Sequence, residues 1–494
     1  MQVTHRPGLG KQLLVVLSSV LIGAALAACG GSSSSGGGGG NNNPASYGLT
    51  VTVNGNGGSV RSNPDLGNIH ACTNNSCTDS FDANASVTLT ATVNTGYTFT
   101  GWGGDCAGAG TALTAAVTMN ASRACSATFA ANPPLSGPVQ PVVAGNRLLD
   151  ARSGLAWIPH GVNLPGLEYA CVGSDNTRPS WVPDLARDSL TTAASWGIDV
   201  IRLPLNQDCW LGADGAPTPG GYGNGTAAQR AQQYQALVRS WVQAAHDAGM
   251  AVILDLHWTA PAGTLAQGGQ WAMADNQSAA FWSSVAAAYK DDPSVMFDLF
   301  NEPYSWDAHT LSWACWRDGG CAMPNASDQD LKNGKWDGAT TYTVTGMAAL
   351  VSAVRGAGAK QVILLAGLDY ANTLTSWLAY KPNDAQLAVS WHNYKGQGCS
   401  DTACWNSQIA PVAAQVPVVM TEFGYENDDP GYFENAMTWA DSAGIGYLPW
   451  AWWNQADTED DKGNVSAYAL YTGSAYTLTP EGTAYKARLV KLPN

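Results

Sequence analysis

Val295-Met-Phe-Asp-Leu-Phe-Asn-Glu-Pro-Tyr304 begins as a run of core-type side chains and ends abruptly in an amide and a carboxylate. A short apolar run of this kind reads as a strand buried on both faces, as in a parallel sheet. The pattern recurs downstream and upstream of it. Candidate strands are 160–163, 199–203, 251–256, 295–300, 361–365, 387–391, 418–421 and 446–450, and helix-length segments lie among them at 227–248, 278–289, 340–356 and 433–443. Eight such βα alternations within 142–494 predict an α/β fold, a (β/α)8 TIM barrel. Residues 146–158 then read as a hairpin plugging the barrel floor.

The chemistry lies where each run stops. The second strand leads to Arg202, the third to His257 and Trp258, and the fourth to Asn301 and Glu302. The sixth leads to His392 and Tyr394, the seventh to Glu422, and the eighth to Trp450, Trp452 and Trp453. In a barrel these points converge on one rim. Two glutamates there suit retaining glycoside hydrolysis, in which one carboxyl protonates the leaving oxygen and the other attacks the anomeric carbon, from about 5–5.5 Å apart. The two must titrate apart, and Arg202 and Tyr394 are donors of the kind that hold Glu422 ionised. Asn301 stands where it can hydrogen-bond a sugar 2-hydroxyl.

Each residue also has a plainer reading. A lone Glu after a strand is more often a cap or a surface charge, and only the pair with Arg and His partners outweighs that. His257 competes with a satisfied core histidine, and His246 reads as surface. Asp255 and Asp298, inside strands, read as buried structural carboxylates. Glu168 serves either a distal subsite or a salt bridge. All of the 20 tryptophans except Trp102 follow residue 142, and those in loops can stack on pyranose faces. Of them, Trp258 and the strand-eight group are the candidates.

FDLFNEPY (297–304) and PVVMTEFGY (417–425) resemble the two signatures of glycoside hydrolase family five, the cellulase family of clan A. GVNLPGLEY, IRLPL, VILDLHW, SWHNY and YLPWAWW fall in that family's order, so the resemblance covers essentially all of 142–494. It implies Glu302 as acid/base preceded by Asn301, Glu422 as nucleophile, and Arg202, His257, His392 and Tyr394 as the surrounding polar ring. It also implies a strand-eight tryptophan stacked on the sugar, with Trp450, Trp452 and Trp453 all open for that place. The implied activity is retaining endo-hydrolysis of a β-linked polysaccharide, β-1,4-glucan first, with mannan and xylan as alternatives. A non-catalytic glycan-binding lipoprotein is the rival class, and two intact glutamates argue against it. No cofactor and no metal is implied, and a monomer is expected.

The rest of the chain supplies its setting. A 494-residue chain has room for two or three domains, and 45% hydrophobic residues exclude wholesale disorder. Charged residues are only 12% and the net charge is −15, which argues against nucleic-acid partners. Residues 13–26 are too short to span a bilayer but suit a signal-peptide core. They run into Leu26-Ala-Ala-Cys29, which resembles a bacterial lipobox, so residues 1–28 are expected to be removed and Cys29 to carry a lipid. Gly30 after it favours the outer membrane of a Gram-negative cell. Residues 29–46 then form a Ser/Gly/Asn tether. Residues 47–131 alternate apolar residues with Thr and Ser and predict a small all-β domain, followed by a Pro-rich linker at 132–141. The string GYTFTGWGGDCAG resembles bacterial repeat modules of surface proteins, and Trp102 within it reads as core. Of 11 cysteines, Cys29 is set aside. Close spacing pairs 72–77, 315–321 and 399–404, and elimination leaves 106–125 and 171–209, while zinc lacks a C-x-x-C or a nearby His pair.

Overall fold

A computed structural model describes residues 45–94, 96–132, 135–172, 186–218, 225–424, 429–452, 468–473 and 475–490. The signal segment, Cys29, the tether up to residue 44 and Trp453 lie outside the described residues. Eight parallel strands pair side by side: β1 (Gly161–Asn163), β2 (Val200–Asn206), β3 (Ala251–Trp258), β4 (Val295–Asp298), β5 (Ile363–Ala366), β6 (Leu387–Tyr394), β7 (Val418–Gly424) and β8 (Gly446–Pro449). The ring closes where His160 bridges Tyr447 and the Tyr447 N–H reaches the Pro159 carbonyl at 2.9 Å. Gly161 permits that closure, since a Cβ there would sit 2.4 Å from the Val200 carbonyl oxygen. This is the predicted TIM barrel.

Period-two alternation builds its interior in layers. Val200, Ile253, Met296, Ala388 and Val419 form a fully buried apolar layer low in the barrel. Two residues further along the same strands stand Arg202, Asp255, Asp298, Ser390 and Thr421, also fully buried. The barrel therefore changes from oil to ions within one step of each strand. Register shifts at Leu205/Asn206, Trp391/His392 and Met420/Phe423 fall at the C-terminal ends of β2, β6 and β7. Bulges re-aim side chains, and the one between β6 and β7 sets His392 opposite Glu422.

Beneath the apolar layer lies an antiparallel sheet of Pro141–Ala144, Arg147–Asp150 and Ala156–Trp157. Leu148 and Trp157 pack upward against Val200 and Leu448, and the Trp157 indole donates to Asp199 at 2.7 Å. The predicted floor plug is this sheet. Helices Ala227–Asp247, Ser278–Tyr289 and Pro430–Ala443 follow the predicted segments closely. The segment 340–356 differs. Thr341–Thr343 forms a strand against Ala322–Pro324, as its β-branched alternation favours, and the helix begins only at Met347 and ends at Gly356.

The small domain has seven strands, two more than the alternating runs 49–53, 86–93, 97–102, 114–119 and 125–129 predict. Ser76–Asp82, Ser46–Asn54, Arg123–Ala131 and Tyr97–Gly104 form one sheet, in that order. Gly58–Asn63, Ser86–Val93 and Thr114–Thr118 form the other. The two unpredicted strands, Gly58–Asn63 and Ser76–Asp82, alternate in burial, but Gly58, Ser62 and Asp79 stand at buried positions, so no apolar period marks them in the sequence. Trp102 is core, edge-on to Phe99, with its indole bonded to the Ala112 carbonyl at 2.8 Å. All five predicted disulfides form: 72–77, 106–125, 171–209, 315–321 and 399–404. No described helix is long and apolar enough to cross a membrane.

Candidate active site

Arg202 organises the rim from inside the barrel. Its Nε donates to Asp298 at 3.1 Å, Nη1 to Asn163 at 3.1 Å and to Glu422 at 2.6 Å, and Nη2 to Asn301 at 2.8 Å. Asp255 pairs with Nη2 at 3.0 Å. Burial alone would lower the guanidinium, but Asp255, Asp298 and Glu422 around it raise it further above its ordinary value. Burial also pushes the carboxyls of Asp255 and Asp298 up to about 7. These two aspartates are structural, as read from their places inside strands.

Glu422, near the end of β7, accepts hydrogen bonds on both oxygens, from Arg202 and from the Tyr394 hydroxyl at 2.7 Å. Glu302 lies just past the end of β4, which stops at Asp298. Its Oε1 is 2.9 Å from His392 Nδ1 and its Oε2 accepts from Gln270 Nε2 at 2.6 Å. Burial raises the Glu302 carboxyl, and the Gln270 hydrogen bond opposes this by favouring the ionised form. Burial lowers His392 to about 3 and His257 to about 4, so both rings are neutral near pH 7. His257 is further fixed by Asp255, 2.7 Å from its Nδ1. One oxygen of Glu302, one of Glu422 and a ring nitrogen of His392 all lie within 4.8 Å of one another. Three such donors also suit a metal in principle. Here the carboxylates are already hydrogen-bonded, Glu422 by Arg202 and Tyr394 and Glu302 by His392 and Gln270.

Above these groups opens a cleft of about 780 Å³, lined among others by Glu302, Glu422, Asn301, Tyr394, His257, Trp258 and Trp450. Arg202 and His392, fully buried, act from behind its wall. Trp450 faces the cleft and stacks on His257, with ring centroids 5.4 Å apart and planes 14° apart. Trp452 does not belong with it. Only 2% exposed, it turns into the barrel wall, where its indole donates to the Ser189 hydroxyl at 2.5 Å and meets Trp196 edge-on. Positions 450 and 452 would share a side of an extended chain, but the backbone bends at Trp450, just past the end of β8, which sequence alone did not reveal. Glu168 is also removed from the cleft. It is buried, accepts the Gly166 N–H at 2.7 Å, and burial pushes its carboxyl up to about 8. His246 is half-buried beside Asp292 rather than a surface residue. Trp210, Trp271, Trp316 and Trp405 are core.

Gln270 is the residue that strand-end reasoning missed. It comes from the loop between β3 and Ser278–Tyr289, where no periodicity marks it. Its amide oxygen accepts from Asn301 at 2.8 Å while its nitrogen holds Glu302, so a single side chain ties both halves of the Asn-Glu pair. Asn163, which ends β1 and accepts from Arg202, was missed as well, although it obeys the rule that found the others.

A parallel barrel whose C-terminal rim presents two carboxylates to one cleft has the layout of a glycoside hydrolase. Residues 160–456 match the cellulase family, glycosyl hydrolase family 5, and the chain belongs to that family. Residues 47–133 match the divergent InlB B-repeat domain. An endoglucanase of Halalkalibacter akibai is 23% identical over 320 residues, covering 61% of this chain. The match spans only 35% of that relative's length. A β-glucanase from Saccharophagus degradans, solved in its native form and with cellotetraose, superposes with a TM-score of 0.50 at 17% identity. That superposition covers 73% of this chain and 98% of the β-glucanase and shows the shared fold.

Arg202→Met tests the centre of the site. It leaves Asp255 and Asp298 buried without their cation, an expected loss of about 3–5 kcal/mol in stability. Both aspartates then resist ionisation more strongly, so the deficit relative to wild type grows as pH rises and shrinks in acid. Urea denaturation at pH 5 and pH 8 measures both effects, and equal deficits at the two pH values count against the ion cluster.

Proposed function

We propose that the protein is a retaining endo-β-1,4-glucanase. The observation that carries this reading is the approach of Glu302 and Glu422 oxygens to within 4.8 Å. That is closer to the spacing of about 5–5.5 Å in retaining enzymes than to the roughly 6.5–9.5 Å that leaves room for a water in inverting ones. Glu302, raised by burial, protonates the glycosidic oxygen as the bond to the anomeric carbon breaks. Glu422, oriented by Arg202 and Tyr394, attacks that carbon and forms a glycosyl-enzyme. Glu302, now a carboxylate, takes a proton from water, whose oxygen attacks the same carbon and releases Glu422. Trp450 and Trp258 offer apolar faces to the pyranose rings. Family membership, the endoglucanase relative and the β-glucanase that binds cellotetraose support glucan over other β-glycans.

We further propose that Cys29 carries a lipid that holds the protein at a membrane, the outer membrane of a Gram-negative cell, with the residues up to 44 as a tether. The apolar run ending at Leu26-Ala-Ala-Cys29 supports this. Palmitate labelling of the full chain in a bacterial host should be lost in Cys29→Ser. Labelling that survives the substitution removes the anchor.

Reducing-sugar release from β-1,4-glucan, mannan and xylan tests the activity. Glucan should be the preferred polymer, with Glu302→Gln reduced by roughly 10²–10⁴-fold. Glu422→Ala should be inactive until azide is supplied, and then yield a glycosyl azide of inverted anomeric configuration. Retention of full activity in either variant overturns the assignments, and turnover on mannan or xylan alone changes the substrate. Gln270→Leu removes a donor that favours ionised Glu302, so the pKa of this group rises and its acid form persists to higher pH. The alkaline limb of kcat/KM against pH should therefore move upward while the rate falls. A purely structural loss would not reproduce that upward shift together with a lower rate that Gln270→Asn partly restores.

A further inference from the structure

A second depression of about 370 Å³ lies beside the catalytic cleft, between the loop after β3 and the excursion that follows β4. Asp330 and Lys335 line both cavities, and their side chains pair at 3.0 Å. This ion pair, 41% and 61% exposed, is therefore a sill between two connected basins rather than a closed wall. A chain leaving the cleft on this side passes directly over it.

The chemistry of the second basin is that of sugar recognition. Trp336 lines it, half-buried, with its indole N–H bonded to the Thr340 carbonyl at 2.8 Å. Asp337 holds the same turn by accepting the N–H groups of Ala339 and Thr340 at 2.9 and 2.7 Å. His309 meets the Trp336 ring edge-on at 5.5 Å. The ring is thus fixed in place before any ligand arrives, which reduces the ordering cost of binding. Polar groups come from both sides: Gln267 and Thr264 from the β3 loop, and Asn325 from the opposite segment. Asn325 accepts the Trp271 indole N–H on its amide oxygen at 3.2 Å, which directs its NH₂ donors elsewhere. An aromatic face with amide and hydroxyl groups around it, and a self-neutralising ion pair at the entrance, suits an uncharged polyhydroxylated ring.

We propose that this basin is a second sugar-binding site, which takes the glucosyl units of a β-1,4-glucan that extend past the catalytic cleft over the Asp330–Lys335 sill. The proposal rests on the β-glucanase reading and adds to it a length preference built by the β3 loop and the segment between β4 and the Met347–Gly356 helix. No strand of the barrel contributes to it.

The test compares kinetics on cellotriose and cellohexaose for wild type, Trp336→Ala and Gln267→Ala in the full chain. Loss of Trp336 should lower the ratio of kcat/KM for cellohexaose to that for cellotriose by roughly tenfold, about one aromatic contact's worth. The change should fall in KM. Gln267→Ala, on the other wall, should lower the ratio in the same sense but less. A ratio unchanged in both variants overturns the second site, and parallel losses on both substrates mean that Trp336 only supports the fold. Calorimetry with cellohexaose on Glu302→Gln, with and without Trp336→Ala, reads the same site without turnover. A wild type inert on every β-1,4-glucan but binding cellohexaose through Trp336 would overturn the activity and keep the site. Equal binding by the two calorimetric variants would overturn the site whatever the activity.

Discussion

One buried guanidinium governs this barrel. Arg202 stands two residues above the apolar layer on β2 and reaches β1, β3, β4 and β7 through Asn163, Asp255, Asp298 and Glu422. A charge so placed is costly unless every donor is used, and it is tolerated here because carboxylates and amides converge on it from across the barrel. The same network that neutralises Arg202 also orients Glu422 and, through Asn301, the chain leading to Glu302. The guanidinium that pairs with the two buried aspartates is thus the one that holds Glu422.

Environment then separates the two carboxylates. Glu422 sits between a guanidinium and a phenol, both donors. Glu302 has a neutral imidazole on one oxygen and an amide on the other, and burial raises it. Two like side chains a few ångströms apart acquire different tasks from what surrounds them. The outer loops add a third layer of control. The β3 loop supplies Gln270 to Glu302 and Gln267 to the second basin, so one excursion reaches both cavities.

How much of this was legible depends on whether the signal was local. The eight strands were, because each is a short apolar run; five of them extend past the expected end, and Arg202, His257, His392 and Glu422 lie within the strands themselves. The disulfides were legible from spacing. Gln270 was not, because a loop glutamine carries no periodicity and becomes a site residue only when its loop folds back over Asn301. The two polar strands of the small domain escaped for the same reason: their partners, not their own side chains, define them.

By itself, then, the order of residues determined the alternation of strands and helices, the location of the two glutamates at strand ends and Arg202 and Tyr394 as the donors to Glu422. These follow from hydrophobic period and chain position, which are one-dimensional properties. Only the tertiary structure decided which tryptophan faces the cleft, since Trp450 and Trp452 are alike in sequence and differ in the direction the backbone gives them past β8. It also decided that one glutamine from a distant loop holds Glu302, and that an ion pair stands between two basins. Those are matters of angle and distance between segments far apart in the chain, and closure of the barrel is what sets them.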